Sequence, residues 1–277
     1  MRDGLRLRTW TSGPISAPTP PFVLVHGGPG LPDYLEAVAS MIAPVALVHR
    51  YDQRGTGGSP WSGEHTLERQ LTDLDDLLGA WGHDAVRLVG HSYAVNLALQ
   101  YLASRPDRVA ALVGISGTGI GDWRSAYRAE RTARMTRQQR DRYQQLESID
   151  RSEEEEIEFL TLAWFTDHAD RTQALRWAQD SASRLRPVNY VMNAELNAAV
   201  KTARQSDWLE RVRGSGVPVR FIHGAGDPRP ADNVADLAVA LGAPAPEVIP
   251  GAGHHPWLEQ PTLFAAALQR ALTAGAG

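Results

Sequence analysis

The chain has 277 residues, 43% hydrophobic and 22% charged, which supports a sizeable core and argues against global disorder. Its net charge of −4 offers no global attraction to nucleic acid or an anionic membrane, and the absence of cysteine excludes disulfides, thiolate metal sites and a cysteine nucleophile. The first residues lack an apolar signal segment and no run of about 18 apolar residues occurs, so the expectation is a soluble, cytoplasmic protein.

LRLRTW alternates in polarity and predicts a first strand. After the Pro-rich turn region SGPISAPTPP, FVLVHGG reads as a short buried parallel strand closed by glycines. VALVHRYDQRG repeats that shape. LERQLTDLDDLLGAWG has apolar residues at helical spacing with Gly at its end. AVRLVG is another buried strand, VNLALQYLA a helix and RVAALVGIS a strand again. This alternation predicts an α/β fold, a mostly parallel sheet flanked by helices.

The pattern breaks after Ser116. Residues 117–206 hold no convincing strand but three charged helical stretches, SAYRAERTARMTRQQRDRYQQLES, EEEEIEFLTLAWF and TQALRWAQDSASRL. VPVRFIHGAGD then restores a strand. VADLAVALG reads as a helix, PEVIPGAGHHPW as a last strand and loop, and TLFAAALQRALTAG as a closing helix. The expected organisation is one core in two parts, 1–116 and 207–277, interrupted by an inserted helical cap at 117–206.

Three polar residues sit just beyond predicted strands. Ser92, in GHSYA, lies between a strand and a helix; Asp227 follows VRFIHGAG; His254 follows EVIPGAG. Open α/β sheets gather their sites at the carboxyl ends of strands, so the three can meet. A serine hydroxyl is a weak nucleophile until a base takes its proton. His254 is the expected base, and Asp227 the group that fixes the imidazole tautomer and stabilises the imidazolium. The order Ser, Asp, His and the strand–turn–helix setting are those of the α/β-hydrolase triad. Its elbow usually reads G-x-S-x-G; here Ala94 adds one methyl. His255 is a rival base and Asp232 a rival acid. His254 is preferred because it directly follows Gly-Ala-Gly, and Asp227 because Asp232 falls in or near the next helix.

HGGPG at 26–30 supplies glycines that let backbone N–H groups face a ligand. The N–H groups of Gly28 and Tyr93 are the expected oxyanion pair. His26 is expected to support that loop. Asp52 and Arg54 of DQRGTGGS are expected to pair and brace the floor of the site. No Gly-Lys-Ser/Thr follows that loop, so it is not a Walker phosphate loop.

HGGPG, DQRGTGGS, GHSYA, GAGD and GAGHHPWLEQP together resemble the proline iminopeptidase branch of the α/β-hydrolase superfamily, over roughly 1–116 and 207–277. The resemblance implies nucleophile, acid and base on Ser92, Asp227 and His254, and release of an N-terminal residue, typically proline, from a small peptide. Two departures stand out. Elbows of that family usually read like G-G-S-W-G. Its caps commonly carry a Trp-Glu pair whose carboxylate holds the substrate's free amine. Here LTLAWFTDHAD has Trp164 and Phe165 but no Trp-Glu. Burying an unpaired ammonium is costly, so either another carboxylate takes the amine or the substrate has none. Trp164, Phe165 and Glu195 are the candidate substrate-binding residues. The Glu run at 153–156 is expected to be a solvated helix start.

The expectation is a serine hydrolase that needs no metal or organic cofactor, acting on a short peptide or small molecule, with no nucleic-acid or membrane partner. A carboxylesterase, lactonase or thioesterase is the alternative, and a non-catalytic ligand-binding protein of the same fold is the second class.

Overall fold

The short apolar runs become seven strands: β1 (Thr9–Ser12), β2 (Phe22–Val25), β3 (Val48–Tyr51), β4 (Val86–His91), β5 (Val109–Ile115), β6 (Val219–Gly224) and β7 (Glu247–Ile249). The structure, a computed structural model, describes residues 1–15, 20–202 and 205–273; the middle of the Pro-rich stretch, residues 203–204 of the expected cap and the last four residues of the chain lie outside the described residues. The strands form one sheet in the order β1-β3-β2-β4-β5-β6-β7. β1 runs antiparallel to β3, and every other pairing is parallel.

The helices are α1 (Glu36–Ile42), α2 (Leu67–Ala80), α3 (Tyr93–Ser104), α4 (Trp123–Arg134), α5 (Arg137–Glu147), α6 (Glu153–Trp164), α7 (Ala174–Arg184), α8 (Tyr190–Thr202), α9 (Gln205–Gly214), α10 (Ala231–Leu241), α11 (Pro256–Glu259) and α12 (Pro261–Thr273). Side chains alternate across the sheet with a period of two. On β2, Val23 and Val25 join the core formed with α2, α3 and α10, whereas Phe22 and Leu24 join the core formed with α1 and α12. A parallel sheet buried on both faces explains why its strands read as nearly continuous apolar runs. Among the described residues no helix is long and apolar enough to cross a membrane.

Several elements depart from the sequence expectation. β1 starts at Thr9 rather than Leu5 because Arg8 leaves the ladder for the DQRGTGGS loop. Its N–H donates to Ser59 Oγ (2.9 Å) and its carbonyl accepts the Asp52 N–H (3.0 Å). α1 has only seven residues and no side-chain cap at Leu35, so it carries no local signal. The long basic stretch splits into α4 and α5 at Met135, where Thr136 and Gln139 form a capping box. A second box, Ser152 with Glu155, starts α6, and the Glu run fills its first turn. Among the described residues six α-helices lie between β5 and β6, not three. α5 to α7 build an apolar cluster of their own around Leu146, Phe159, Leu160 and Leu162. α8 and α9 instead contribute Met192, Leu196, Trp208 and Val212 to the core beside α3. Two Asn in α8 and sparse apolar residues in α9 hide that face in the sequence.

The DQRGTGGS loop is braced, but by other partners than expected. Asp52 spends its carboxylate on the N–H groups of Asp33 (2.8 Å) and Gly58 (2.7 Å), as short acidic side chains do in turns. Arg54 instead reaches α2, with Nε 2.7 Å and Nη2 2.5 Å from Asp73. Its Nη1 lies 2.8 Å from Asp3, and its guanidinium stacks 4.7 Å from the Trp61 ring. Both Arg54 and Asp73 are buried. Removing one member of a buried pair strands the other, so Arg54→Met is expected to cost about 3–5 kcal/mol of unfolding free energy, read as a lower denaturant midpoint. The double change Arg54→Met with Asp73→Leu is expected to recover much of that loss. A cost near zero for the single variant would mean the pair contributes nothing beyond packing.

Candidate active site

Ser92 follows β4 directly and precedes α3, at φ 57° and ψ −122°. A residue with a Cβ resists this region, at a cost on the order of 1–3 kcal/mol. The turn is pinned from both sides: the Ser92 N–H donates to the Ile115 carbonyl on β5 (2.9 Å), and the Ser92 carbonyl accepts the Val95 N–H (3.1 Å). A Cβ at Gly90 would fall 2.6 Å from the Ala94 carbonyl oxygen, so the elbow's first glycine is what lets α3 return so close to β4. Ala94 is fully buried in the core beside α3. Its methyl occupies core space, and the elbow tolerates the change from Gly.

The topology brings the three strand-end residues together. His254 Nε2 lies 3.0 Å from Ser92 Oγ, and His254 Nδ1 lies 2.6 Å from Asp227 Oδ2. With Nδ1–H donating to a carboxylate, Nε2 is left as the acceptor for the serine proton. All three residues are buried or nearly so. The other Asp227 oxygen accepts the Arg229 N–H (2.9 Å) and faces Arg229 Nη1 (3.2 Å). Burial alone would push the Asp227 carboxyl up. The neighbouring His254, Arg229 and His223 outweigh it and hold that carboxyl far below the usual carboxylate range. Arg229 also donates to Asp167 (2.9 Å) and lies 4.5 Å from the Tyr127 ring, so it links Asp227 to the helical insert.

The rivals stand apart. His255 has its ring 5.2 Å from that of His254, and its Nδ1 has no hydrogen-bond partner among the described residues. Burial, then the neighbouring His254 and His91, pushes it well below the usual imidazole range, so it is neutral. Asp232 is exposed in the first turn of α10.

The glycine loop is held from below. His26 Nε2 accepts the Gln53 N–H (3.1 Å), while the Gln53 side-chain amide donates to the His26 carbonyl (2.6 Å). The Tyr34 hydroxyl accepts the Gly27 N–H (2.9 Å) and donates to His91 Nδ1 (2.6 Å). His91 Nε2–H in turn donates to the His254 carbonyl (2.9 Å). One chain of contacts therefore runs from the glycine loop to the backbone of the candidate base. Burial pushes His91 well down, consistent with this neutral tautomer. Gly28, at φ 52°, and Tyr93 line the same cavity as Ser92 and His254. Among the described residues no backbone carbonyl accepts either N–H.

That cavity has a volume of about 340 Å³, and Trp164 lines it. Two other expectations need correction. Phe165 is buried in the insert's own apolar cluster, with the Arg171 guanidinium 5.2 Å from its ring. Phe165 lies just past the end of α6 and is absent from the cavity wall. Glu195 is not a wall residue either: its carboxylate accepts the His65 N–H at 2.8 Å. Sequence reasoning missed Arg229, Tyr34, His91, Trp123 and Arg124. Of these only Arg229 carried a local signal, two places after the acid in GDPR.

A family model described as the alpha/beta hydrolase fold matches residues 20–261. A putative 2-succinyl-6-hydroxy-2,4-cyclohexadiene-1-carboxylate synthase of Bacillus subtilis (strain 168) is 27% identical over 98% of this chain and 96% of its own length. Lipase LipV of Mycobacterium tuberculosis is 42% identical over 62 residues, and a proline iminopeptidase of Heyndrickxia coagulans 31% identical over 96. Both matches are local: they cover 22% and 34% of this chain, which spans only 24% and 33% of those two proteins. Among solved structures, a thermophilic esterase from Thermogutta terrifontis superposes with a TM-score of 0.73 at 20% identity, over 97% of this chain and 93% of that one. At that identity the likeness is one of fold. Since the family match runs from just before β2 to the start of α12 and spans all three strand-end residues, the chain belongs to the α/β-hydrolase superfamily, as a hydrolase similar to its proline iminopeptidase branch.

Proposed function

We propose that the protein is a serine hydrolase that cleaves a small ester-type acyl bond through an acyl-enzyme, with Ser92, His254 and Asp227 as its triad. The hydrogen-bond chain from Ser92 Oγ to His254 (3.0 Å) to Asp227 (2.6 Å), with Ser92 and His254 on the wall of one cavity, carries this reading. Ser92 Oγ gives its proton to His254 Nε2 and bonds the acyl carbon. The bond to the leaving oxygen breaks as His254 returns that proton to it. Water then gives a proton to His254, its oxygen takes the acyl carbon, and Ser92 departs with the proton. Ester and water become acid and alcohol. The Gly28 and Tyr93 N–H groups receive the developing oxyanion. The helices of 117–206 act as the cap over this pocket, through Trp123, Tyr127 and Trp164.

Ester rather than peptide chemistry is favoured by the charges in the wall. Among the described residues the one carboxylate lining the cavity, Asp167, is already held by Arg229. A substrate ammonium would enter without a free counter-charge. Release of an N-terminal residue is the second reading. It is favoured by the HGGPG and DQRGTGGS motifs and by Glu147 in an adjoining hollow that shares Gly28, Leu31 and Trp164 with the cavity.

The test measures hydrolysis of a series of short acyl aryl esters and of a prolyl anilide, together with labelling by an active-site fluorophosphonate. Ester turnover without prolyl release, and a label on Ser92, are expected. Prolyl release would move the assignment to the aminopeptidase reading. No turnover and no label would leave a ligand-binding protein of hydrolase fold.

A further inference from the structure

The cavity beside Ser92 has a guanidinium with no carboxylate partner among the described residues. Its two guanidiniums are Arg229 and Arg124. Arg229 is neutralised by Asp167 and Asp227. Arg124, near the start of α4, makes no ion pair and no side-chain hydrogen bond among the described residues. Asp122, the nearest acid in sequence, caps α4 by accepting the Ser125 N–H (3.2 Å). Arg128, one turn further along α4, adds a like charge. Partial burial and Arg128 both disfavour the Arg124 charge, with Asp122 acting the other way, so a counter-anion there would be favourable. The Trp123 ring, 4.4 Å from the Arg124 guanidinium, holds its plane. A guanidinium stacked on a ring keeps its edge N–H donors free for the two oxygens of a carboxylate. Two further arginines of the insert are already bonded. Arg134 is bound to Glu130 and to the carbonyls of Thr166 and Gly226, and Arg140 to the carbonyls of Thr132 and Met135.

From this unpaired guanidinium on the cavity wall we infer that the substrate is an acyl compound bearing a carboxylate or similar anionic group, which Arg124 receives inside the cavity. The inference rests on the serine-hydrolase reading for its chemistry, but the anion site is testable apart from it.

Two substrate pairs are compared, each an anionic ester and its neutral isostere. In one pair, the mono-aryl ester of glutaric acid against its terminal amide, the charge sits on the acyl side. In the other, an acetate ester of a carboxyphenol against that of the corresponding carbamoylphenol, it sits on the leaving group. Wild type is expected to prefer the anionic member of at least one pair in kcat/KM. In Arg124→Gln the ratio of anionic to neutral kcat/KM is expected to fall by about 10- to 100-fold, the usual worth of a charge-assisted hydrogen bond. Arg124→Lys is expected to fall between them. A second readout needs no turnover: glutarate is expected to raise the Tm of wild type and not that of Arg124→Gln. If the thermal shift depends on Arg124 while no ester is turned over and no phosphonate labels Ser92, the anion site stands and the hydrolase reading falls. A ratio that Arg124→Gln leaves unchanged in both pairs, or a glutarate shift equal in both proteins, overturns the proposal.

Discussion

Ser92→Ala is expected to lower kcat on the best aryl ester by on the order of 10⁶-fold, while leaving KM within a few-fold, because it removes the nucleophile and not the binding cavity. What remains should still exceed the uncatalysed rate by roughly 10³–10⁴, supplied by the oxyanion donors and by substrate positioning. The same position should show a conflict between stability and activity. Ser92 sits at φ 57°, where a side chain costs energy that glycine does not incur. Ser92→Gly is therefore expected to be as inactive as Ser92→Ala, yet to unfold at a higher denaturant concentration, by about 1 kcal/mol. The measurement pairs a chemical-denaturation curve with single-turnover kinetics for the three proteins. Activity surviving in Ser92→Ala at more than a hundredth of wild type would mean that another group attacks the acyl carbon. A Ser92→Gly variant less stable than wild type would mean that the elbow is not strained at this residue.

Those outcomes turn on a residue that could be read directly from the chain. Ser92, Asp227 and His254 were legible because each follows a short apolar run and sits among turn-forming glycines, and because parallel strands put their carboxyl ends on one edge. The glycine loop was legible for the same reason. The walls of the pocket were not. Which of two adjacent aromatics faces inward depends on where α6 stops, and that is set by packing of the insert's own core around Phe159 and Phe165. Glu195 satisfies a loop N–H 130 positions away in sequence, a pairing no local pattern announces. Arg54 likewise finds Asp73 across 19 residues, where adjacency had suggested Asp52. His91 and Tyr34 are ordinary loop and strand residues until folding places one hydroxyl between Gly27 and an imidazole. Short-range signals set the strand ends, and long-range contacts set the specificity.

Asp227→Asn is expected to cost about 10⁴-fold in kcat with little change in fold, and the reason lies in the direction of one hydrogen bond. The Asp227 carboxylate can only accept, so it holds the proton of His254 on Nδ1, 2.6 Å away, and leaves Nε2 bare towards Ser92. Arg229 already presents its N–H to the opposite oxygen of residue 227, 2.9 Å away, so an asparagine there keeps its carbonyl oxygen towards Arg229 and turns its amide towards His254. That amide donates, the imidazole must accept at Nδ1, and its proton moves to Nε2. The hydroxyl of Ser92 then meets a donor instead of a base. Burial does not rescue the variant, since the imidazolium formed in the transition state has lost its counter-charge as well. The pH dependence follows the same logic. Asp227 is held far below the usual carboxylate range, so the folded state binds its proton less tightly than the unfolded chain does, whose carboxyl titrates at about 3.9. The stability this contributes is fully present above that value and is lost as pH falls through the depressed folded one. Wild type should therefore lose stability steeply below about pH 4, and Asp227→Asn less steeply over the same range. Denaturation midpoints of both proteins between pH 3 and 6, beside their kcat at neutral pH, test the two claims together. Parallel pH curves would mean that the charge on residue 227 is not what its neighbours stabilise. A variant within 100-fold of wild-type kcat would mean that the tautomer of His254 is fixed by some other contact.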